Sequence, residues 1–446
     1  MADLKKIISP TALLIILALS IGLTPSIPVG TLEGLERTID IRGEDIWILV
    51  LFFFWLSVFL KSRQEQIEKP PLFLPILFWL GAGLVSLLIN LFLGNINVPR
   101  GVFYFAKELQ FFFVYFFTFF HVRSLTTTNK LFRIWLFVAL LNIVWVFWQI
   151  FFIGRRGEYG TAALNEWGVF PTGAFFLILF IFIFNWWLHV YWKAGFPFKK
   201  KYLYLGAILI IIVGILGALS KTVFIAFWVA LLISMILYVL KTKTLKDAWA
   251  SFLLFLTVGL FTFAAYLSVI LPNLPAAERL MKIFSSSDLA GDVQRTRFDV
   301  SALQLQEALE RPLEILGPKE SIGPLANFLL EVSKYAFGRG KGAILLGPES
   351  HNHYLRNFIE TGIMGSLLFL TLMVAVLYFA WKGFKDAKNA VSVGLAAGLL
   401  VATLTVLFMS IVVDAFIVVK PNMTYWFFAG LTMATLYYGR AQTKGN

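Results

Sequence analysis

Two imidazoles occupy the run His351-Asn352-His353-Tyr354-Leu355, followed by Glu360-Thr361-Gly362 and Gly365. Imidazole exchanges protons near neutral pH, so a histidine at the boundary of a polar loop and an apolar helix is a candidate general base. Helical phase sorts the rest of the segment. At about 100° per residue, His351, Tyr354 and Leu355 share a face, and Glu360 turns to the opposite side. Glu360 stands four residues after Arg356, the spacing of a helix ion pair, and is therefore an orienting partner rather than a second catalytic group. Gly362 and Gly365 would let a neighbouring helix approach closely. His351 and His353 face the same way in an extended chain, but no third ligand accompanies them, so metal binding is disfavoured. His121 and His189 lie at the far ends of apolar segments.

The chain that must position these groups has 446 residues, 59% of them apolar, and a mean hydropathy of +0.80. Twelve apolar runs recur, at 7–23, 46–60 (or from an earlier start within 41–46), 72–93, 102–121, 131–153, 170–192, 203–219, 222–240, 250–271, 355–381, 391–416 and 421–439. Runs of about 17–25 apolar residues span hydrocarbon as helices, and period-two alternation of the barrel kind is missing. The expected fold class is therefore an all-α integral membrane protein of about twelve transmembrane helices with one large, partly helical outer (periplasmic) loop. Helices 1–9 fall in 1–271, the loop in 272–354 and helices 10–12 in 355–446. Lys5-Lys6 before the first run is read as a retained helix, since no small-x-small cleavage site follows at 21–28.

Orientation follows from lysine and arginine. With the N-terminus inside, the inner loops and tails hold twenty basic residues against five acidic ones, and both termini are cytoplasmic. The formal charge of +13 is thus an orientation signal and gives no reason to expect nucleic-acid binding. With no cysteine, disulfides and thiolate metal sites are excluded.

Two helices are predicted in the outer loop. One runs from about Asp292 to Glu310, ended by Pro312; the other runs from Pro324 to near Gly338, before the basic turn Gly338-Arg339-Gly340-Lys341-Gly342. Outer basic residues run against the inside bias: Arg155, Arg156, Lys221, Arg295, Arg297 and Arg356. Converging from several outer turns, such cations suit an anionic headgroup, with pyrophosphate the natural candidate. Within the apolar runs Lys107, Glu108, Gln110 and Asp414 are costly and draw notice, Asp414 either completing an outer cavity or pairing with Lys420.

The pattern resembles the O-antigen ligase superfamily, which includes O-antigen ligases, Wzy-like polysaccharide polymerases and protein O-oligosaccharyltransferases. His351-Asn352-x-Tyr354-Leu355 with Glu360-x-Gly362-x-x-Gly365 is similar to the family's His-Asn-x-x-Leu…Glu-x-Gly-x-x-Gly at the re-entry helix. Supporting elements are Arg297 with Ala302-Leu303 and Arg311-Pro312-Leu313…Gly317, Ser220-Lys221 where the family usually has Ser-Arg, and Arg155/Arg156…Gly160…Asn165. Two departures are Lys221 for arginine, a point charge in place of a fork, and the missing second glycine in Gly317-Pro318-Lys319.

The resemblance implies a bacterial inner-membrane glycosyltransferase that moves a glycan from undecaprenyl diphosphate to an acceptor hydroxyl at the periplasmic face. No metal or other cofactor is implied. His351 is expected to be the base, with Arg297, Arg295 and Lys221 on the diphosphate and Arg155 and Arg156 at the rim. Asn352, Tyr354, Arg356 and Glu360 support the site. The expected acceptor is a lipid A-core sugar; for a polymerase it would be a second lipid-linked glycan, and for an oligosaccharyltransferase a Ser or Thr. A transporter or flippase is the competing class, and it would need repeated halves and ionisable groups at mid-membrane.

Overall fold

The computed structural model describes residues 9–23, 26–31, 38–61, 70–93, 96, 98–149, 169–192, 198–218, 220–265, 335–338, 352–416 and 418–444. Among these residues the chain runs α1 (Pro10–Leu23), β1 (Ser26–Thr31), β2 (Thr38–Arg42), α2 (Gly43–Lys61), α3 (Phe73–Phe92), α4 (Val98–His121), α5 (Leu125–Trp148) and α6 (Val169–Trp187, continued by a π-helical turn Leu188–Trp192). It continues through α7 (Phe198–Gly217), α8 (Lys221–Thr242), α9 (Leu245–Ala265), α10 (His353–Asp386), α11 (Ala390–Ser410) and α12 (Val419–Lys444). Each helix overlaps one of the apolar runs. Among the described residues seven helical stretches are long and apolar enough to cross a membrane: Phe73–Phe92, Gly101–His121, Leu125–Trp148, Phe170–Trp192, Thr222–Thr242, His353–Asp386 and Ala390–Ser410.

The β1–β2 hairpin is an addition to the expected all-α class. It is antiparallel, pairing Ser26 with Arg42 and Thr31 with Thr38, and its register slips between Pro28 and Gly30. Proline cannot donate to a ladder and glycine weakens one, which is why the irregularity falls there. The predicted loop helix 292–310 lies outside the described residues, as does the start of 324–338. The described end of the latter, 335–338, is a helical turn closed by Gly338 at φ +69°.

α6 is the axis of the bundle. Its run from Ala174 to Leu188 is buried on every side, as expected of a helix apolar all round. α11 reaches it through Gly394 and Gly398. A Cβ at these positions would lie 2.8 Å from the Trp186 Cα and 2.9 Å from the Phe182 ring. Rings fill the remaining space, with Phe132 stacked on Trp186 at 4.7 Å and Phe182 on Phe428 at 4.4 Å. Outward faces carry bare apolar side chains, such as Phe252, Leu253, Leu256, Leu260 and Phe261 of α9. A surface of this kind suits hydrocarbon, not water.

Side-chain contacts tie each end of the bundle. At one end, Arg123 donates to the Tyr438 hydroxyl. At that end too Lys241 Nζ donates to the carbonyls of Phe384 (2.8 Å), Lys385 (3.1 Å) and Ala387 (3.3 Å), satisfying the last turn of α10. At the other end Lys420, buried in the first turn of α12, donates to the Gly22 carbonyl of α1 (2.8 Å) and to Asn142 Oδ1 of α5 (2.9 Å). Asn142 Nδ2 reaches the same Gly22 carbonyl at 3.0 Å.

Candidate active site at the first turn of α10

α10 begins with a side-chain cap. Asn352 is extended (φ −131°, ψ 112°), and its Oδ1 accepts from the Leu355 amide at 3.1 Å. Nine residues after His353 the helix breaks at Gly362, whose φ of 67° and ψ of −166° are non-helical. The piece His353–Thr361 is thus set off from the long helix that follows.

That short piece carries a buried charge cluster. Arg356 is 4% exposed, and its Nε donates to Glu360 Oε1 at 2.9 Å. Its Nη1 donates to Asp414 Oδ2 at 3.1 Å, from the bend between α11 and α12. The guanidinium also lies 5.7 Å from the centre of the Tyr104 ring. The ion pair with Glu360 is the one the four-residue spacing predicts. Asp414 turns to Arg356, whereas Lys420 directs its ammonium to Gly22 and Asn142; the predicted Asp414–Lys420 alternative is not the one adopted.

His353 begins this helical piece and is 6% exposed. Its ring packs against Phe369 (5.1 Å) and Phe416 (5.2 Å), and its Nδ1 lies 3.7 Å from Asp414 Oδ1, too far for a hydrogen bond. Neither ring nitrogen has a hydrogen-bond partner among the described residues. The Tyr354 hydroxyl donates to the Leu407 carbonyl at 2.9 Å, tying the turn to α11.

His351, Arg295, Arg297, Arg155 and Arg156 lie outside the described residues. Lys221 is the first residue of α8, following Ser220 as N-cap. Val223, two positions on, packs within about a van der Waals contact of Gly173 in α6. The next residue, Ala174, lines one small cavity with Ala415, Phe416 and Asn422. The start of α8 therefore belongs to the same end of the bundle as Asp414. No family model matches this chain, and neither does any curated protein.

Three residues that sequence reasoning missed also meet this turn: Ser86, Asn90 and Tyr104. Ser86 Oγ lies 2.5 Å from the Phe337 carbonyl and 2.7 Å from the Glu360 carbonyl. Asn90 Nδ2 donates to the Gly338 carbonyl at 3.2 Å and to Ser86 O at 2.8 Å. The available signal was two polar residues four apart in the otherwise apolar α3. Such a pair shares one face and needs partners in a dry environment.

Gly362 and Gly338 complete the contact. A Cβ on Gly362 would stand 2.5 Å from the Ala336 carbonyl and the Gly338 amide; one on Gly338 would stand 2.5 Å from the Gly362 amide. Gly362 is thus a point of close approach, as its sequence context suggests, and what approaches is the helical turn 335–338 at the end of the loop segment. Gly365 instead leaves room for Thr361 of its own helix, whose Oγ1 would be 2.1 Å from an added Cβ.

Chemically, the described cluster sets two carboxylates against one guanidinium and has no cation to spare. With both carboxylates on Arg356, the guanidinium serves to hold the turn, and an anionic ligand would need other cations.

Proposed function

We propose that this chain is a glycosyltransferase of the O-antigen ligase type, with twelve membrane spans, both termini cytoplasmic and its site at the periplasmic face of a bacterial inner membrane. The observation that carries the reading is the run His351-Asn352-x-Tyr354-Leu355…Glu360-x-Gly362-x-x-Gly365, in which Asn352 caps α10 and Gly362 breaks it. The twenty-to-five basic excess on the assigned inner side supports the orientation.

In this reading the donor is a glycan on undecaprenyl diphosphate and the acceptor a lipid A-core sugar hydroxyl. His351 takes the hydroxyl proton as the oxygen attacks the anomeric carbon, a contribution of roughly 10²–10⁴-fold. The glycosidic C–O bond to the diphosphate breaks, and its electron pair leaves with the diphosphate. Arg297, Arg295 and Lys221, with Arg155 and Arg156 at the rim, meet that developing charge. Single displacement inverts the anomeric centre. A bilayer-embedded catalyst suits such a donor, because the isoprenoid tail stays in lipid while the headgroup is handled at the surface.

The test is transfer by the reconstituted chain from a lipid-linked glycan, with lipid A-core, a second lipid-linked glycan and a Ser/Thr-bearing protein offered as acceptors. Product on lipid A-core that disappears in His351→Ala is the expected result. Product on either other acceptor reassigns the chain to a polymerase or an oligosaccharyltransferase. Full transfer by His351→Ala removes the general base, and passage of intact donor across the bilayer without bond formation points to a transporter. A cysteine placed at Ser286 should be labelled only from the outer side; labelling from the inner side overturns the orientation.

A further inference from the structure

The hydrogen bonds of Ser86 and Asn90 join two stretches of chain that sequence separates. Phe337 and Gly338 close a helical turn, and Glu360 lies two residues before the break at Gly362. Carbonyls at such places lose partners within their own helix. α3 supplies the donors. Ser86 is 0% exposed and has a single proton within reach of two carbonyls, Phe337 and Glu360; Asn90 is 1% exposed and gives an amide proton to Gly338. Beside these bonds the backbones of 336–338 and 360–362 touch directly, with no room for a Cβ on Gly338 or Gly362.

The chain from Gly338 to Glu360 therefore leaves from and returns to one place on α3. Asn352 and most of the short helical piece His353–Thr361 lie within that interval, and His351 precedes Asn352 directly. We infer that Ser86 and Asn90 are positioning residues, a clamp that fixes the short helical piece His353–Thr361 of α10 against the helical turn 335–338, and that the proposed transfer reaction depends on this piece being held. The inference rests on the proposed transfer reaction for its functional consequence. The clamp itself is a matter of backbone geometry.

Two measurements separate those levels. Hydrogen exchange of the reconstituted protein reads the clamp without any chemistry: in Ser86→Ala and Asn90→Leu the amides of 336–338 and 361–363 should exchange faster than in wild type, and Ser86→Thr, which keeps the hydroxyl, should restore protection. Steady-state transfer reads its use. A shift of about 1 Å in a reacting group costs roughly 10²-fold, so kcat should fall by about that factor in Ser86→Ala, with KM for the lipid-linked donor within about twofold of wild type. Recovery is expected in Ser86→Thr. Unchanged exchange in both Ser86→Ala and Asn90→Leu overturns the clamp. Faster exchange with unchanged kcat overturns its positioning role. Failure of the wild-type chain to transfer to any acceptor sinks the reading of the site, and hydrogen exchange then decides the clamp by itself.

Discussion

Arg356 and Asp414 meet at 3.1 Å across 58 positions of sequence, and Glu360 holds the same guanidinium from within α10. One cation thus keeps two carboxylates in place, Glu360 buried and Asp414 partly so. Removing it leaves both without that partner, whereas removing Asp414 leaves Arg356 with Glu360. Arg356→Ala should therefore lower the unfolding free energy by about 3–5 kcal/mol, and Asp414→Ala by the smaller loss of one charged hydrogen bond, about 1.5–3 kcal/mol. Thermal unfolding in detergent checks the order. Equal losses for the two variants, or a rescue of Arg356→Ala by lysine at that position, would contradict a role that depends on the guanidinium fork.

His353 makes the opposite prediction. Its ring lies between Phe369 and Phe416, and its nitrogens lack hydrogen-bond partners among the described residues. Replacing a buried unsatisfied polar ring by an apolar one of similar shape is close to neutral or stabilising. His353→Phe should keep the folded yield, an unfolding temperature at or above that of wild type, and transfer activity. If transfer is lost while the fold is kept, His353 has a chemical task that packing does not describe.

Gly362 and Gly81 form a matched pair. An alanine at Gly362 combines a positive φ with a Cβ 2.5 Å from the Ala336 carbonyl; at Gly81 nothing lies within 4 Å. Left-handed backbone strain alone costs about 1–3 kcal/mol, and here a backbone contact must also give way. Gly362→Ala should sharply reduce the yield of monodisperse protein. Gly81→Ala should be neutral or stabilise α3 by up to about 1 kcal/mol. Comparable yields for both would deny the close approach at the kink.

In the proposed reaction Lys221 and Arg297 meet the diphosphate, so their loss should raise KM for the lipid-linked donor by about tenfold or more, the effect of losing one charge-assisted contact. Lys221→Arg should recover the donor affinity, because a fork pairs with phosphate oxygens at least as well as a point charge. Donor kinetics unchanged in Lys221→Ala would remove that residue from the site.

Local features of this architecture were legible in the sequence; long-range partners were not. Apolar run length located every described helix, and the earlier start of the second run, within 41–46, is met by α2 beginning at Gly43. Arg356 and Glu360 could be paired because four residues make them neighbours on any helix. Asp414 gave no such clue: its choice of Arg356 over Lys420 depends on how α10, α11 and α12 meet. Lys107 likewise pairs with Asp45 of α2, a partner 62 positions away that no local spacing could suggest. At Gly362 the sequence marked a place where a neighbouring helix could approach, without saying which; the helical turn 335–338 fills it. The hairpin was missed although Thr38-Ile39-Asp40-Ile41-Arg42 alternates polar and apolar residues, because so short an alternation is easily lost beside helical runs several times its length.

The contact between Lys420 and Gly22 bears on how the molecule is put together. A chain is synthesised from its N-terminal end, so α1 waits through ten further helices before α12 brings its ammonium. Until then the Gly22 carbonyl has Asn142 as its ally, and a lysine that would be costly alone in hydrocarbon arrives where its acceptors already stand. The seam between α1 and α5 is fastened only when α12 arrives, and an interruption of synthesis before α12 would leave it open.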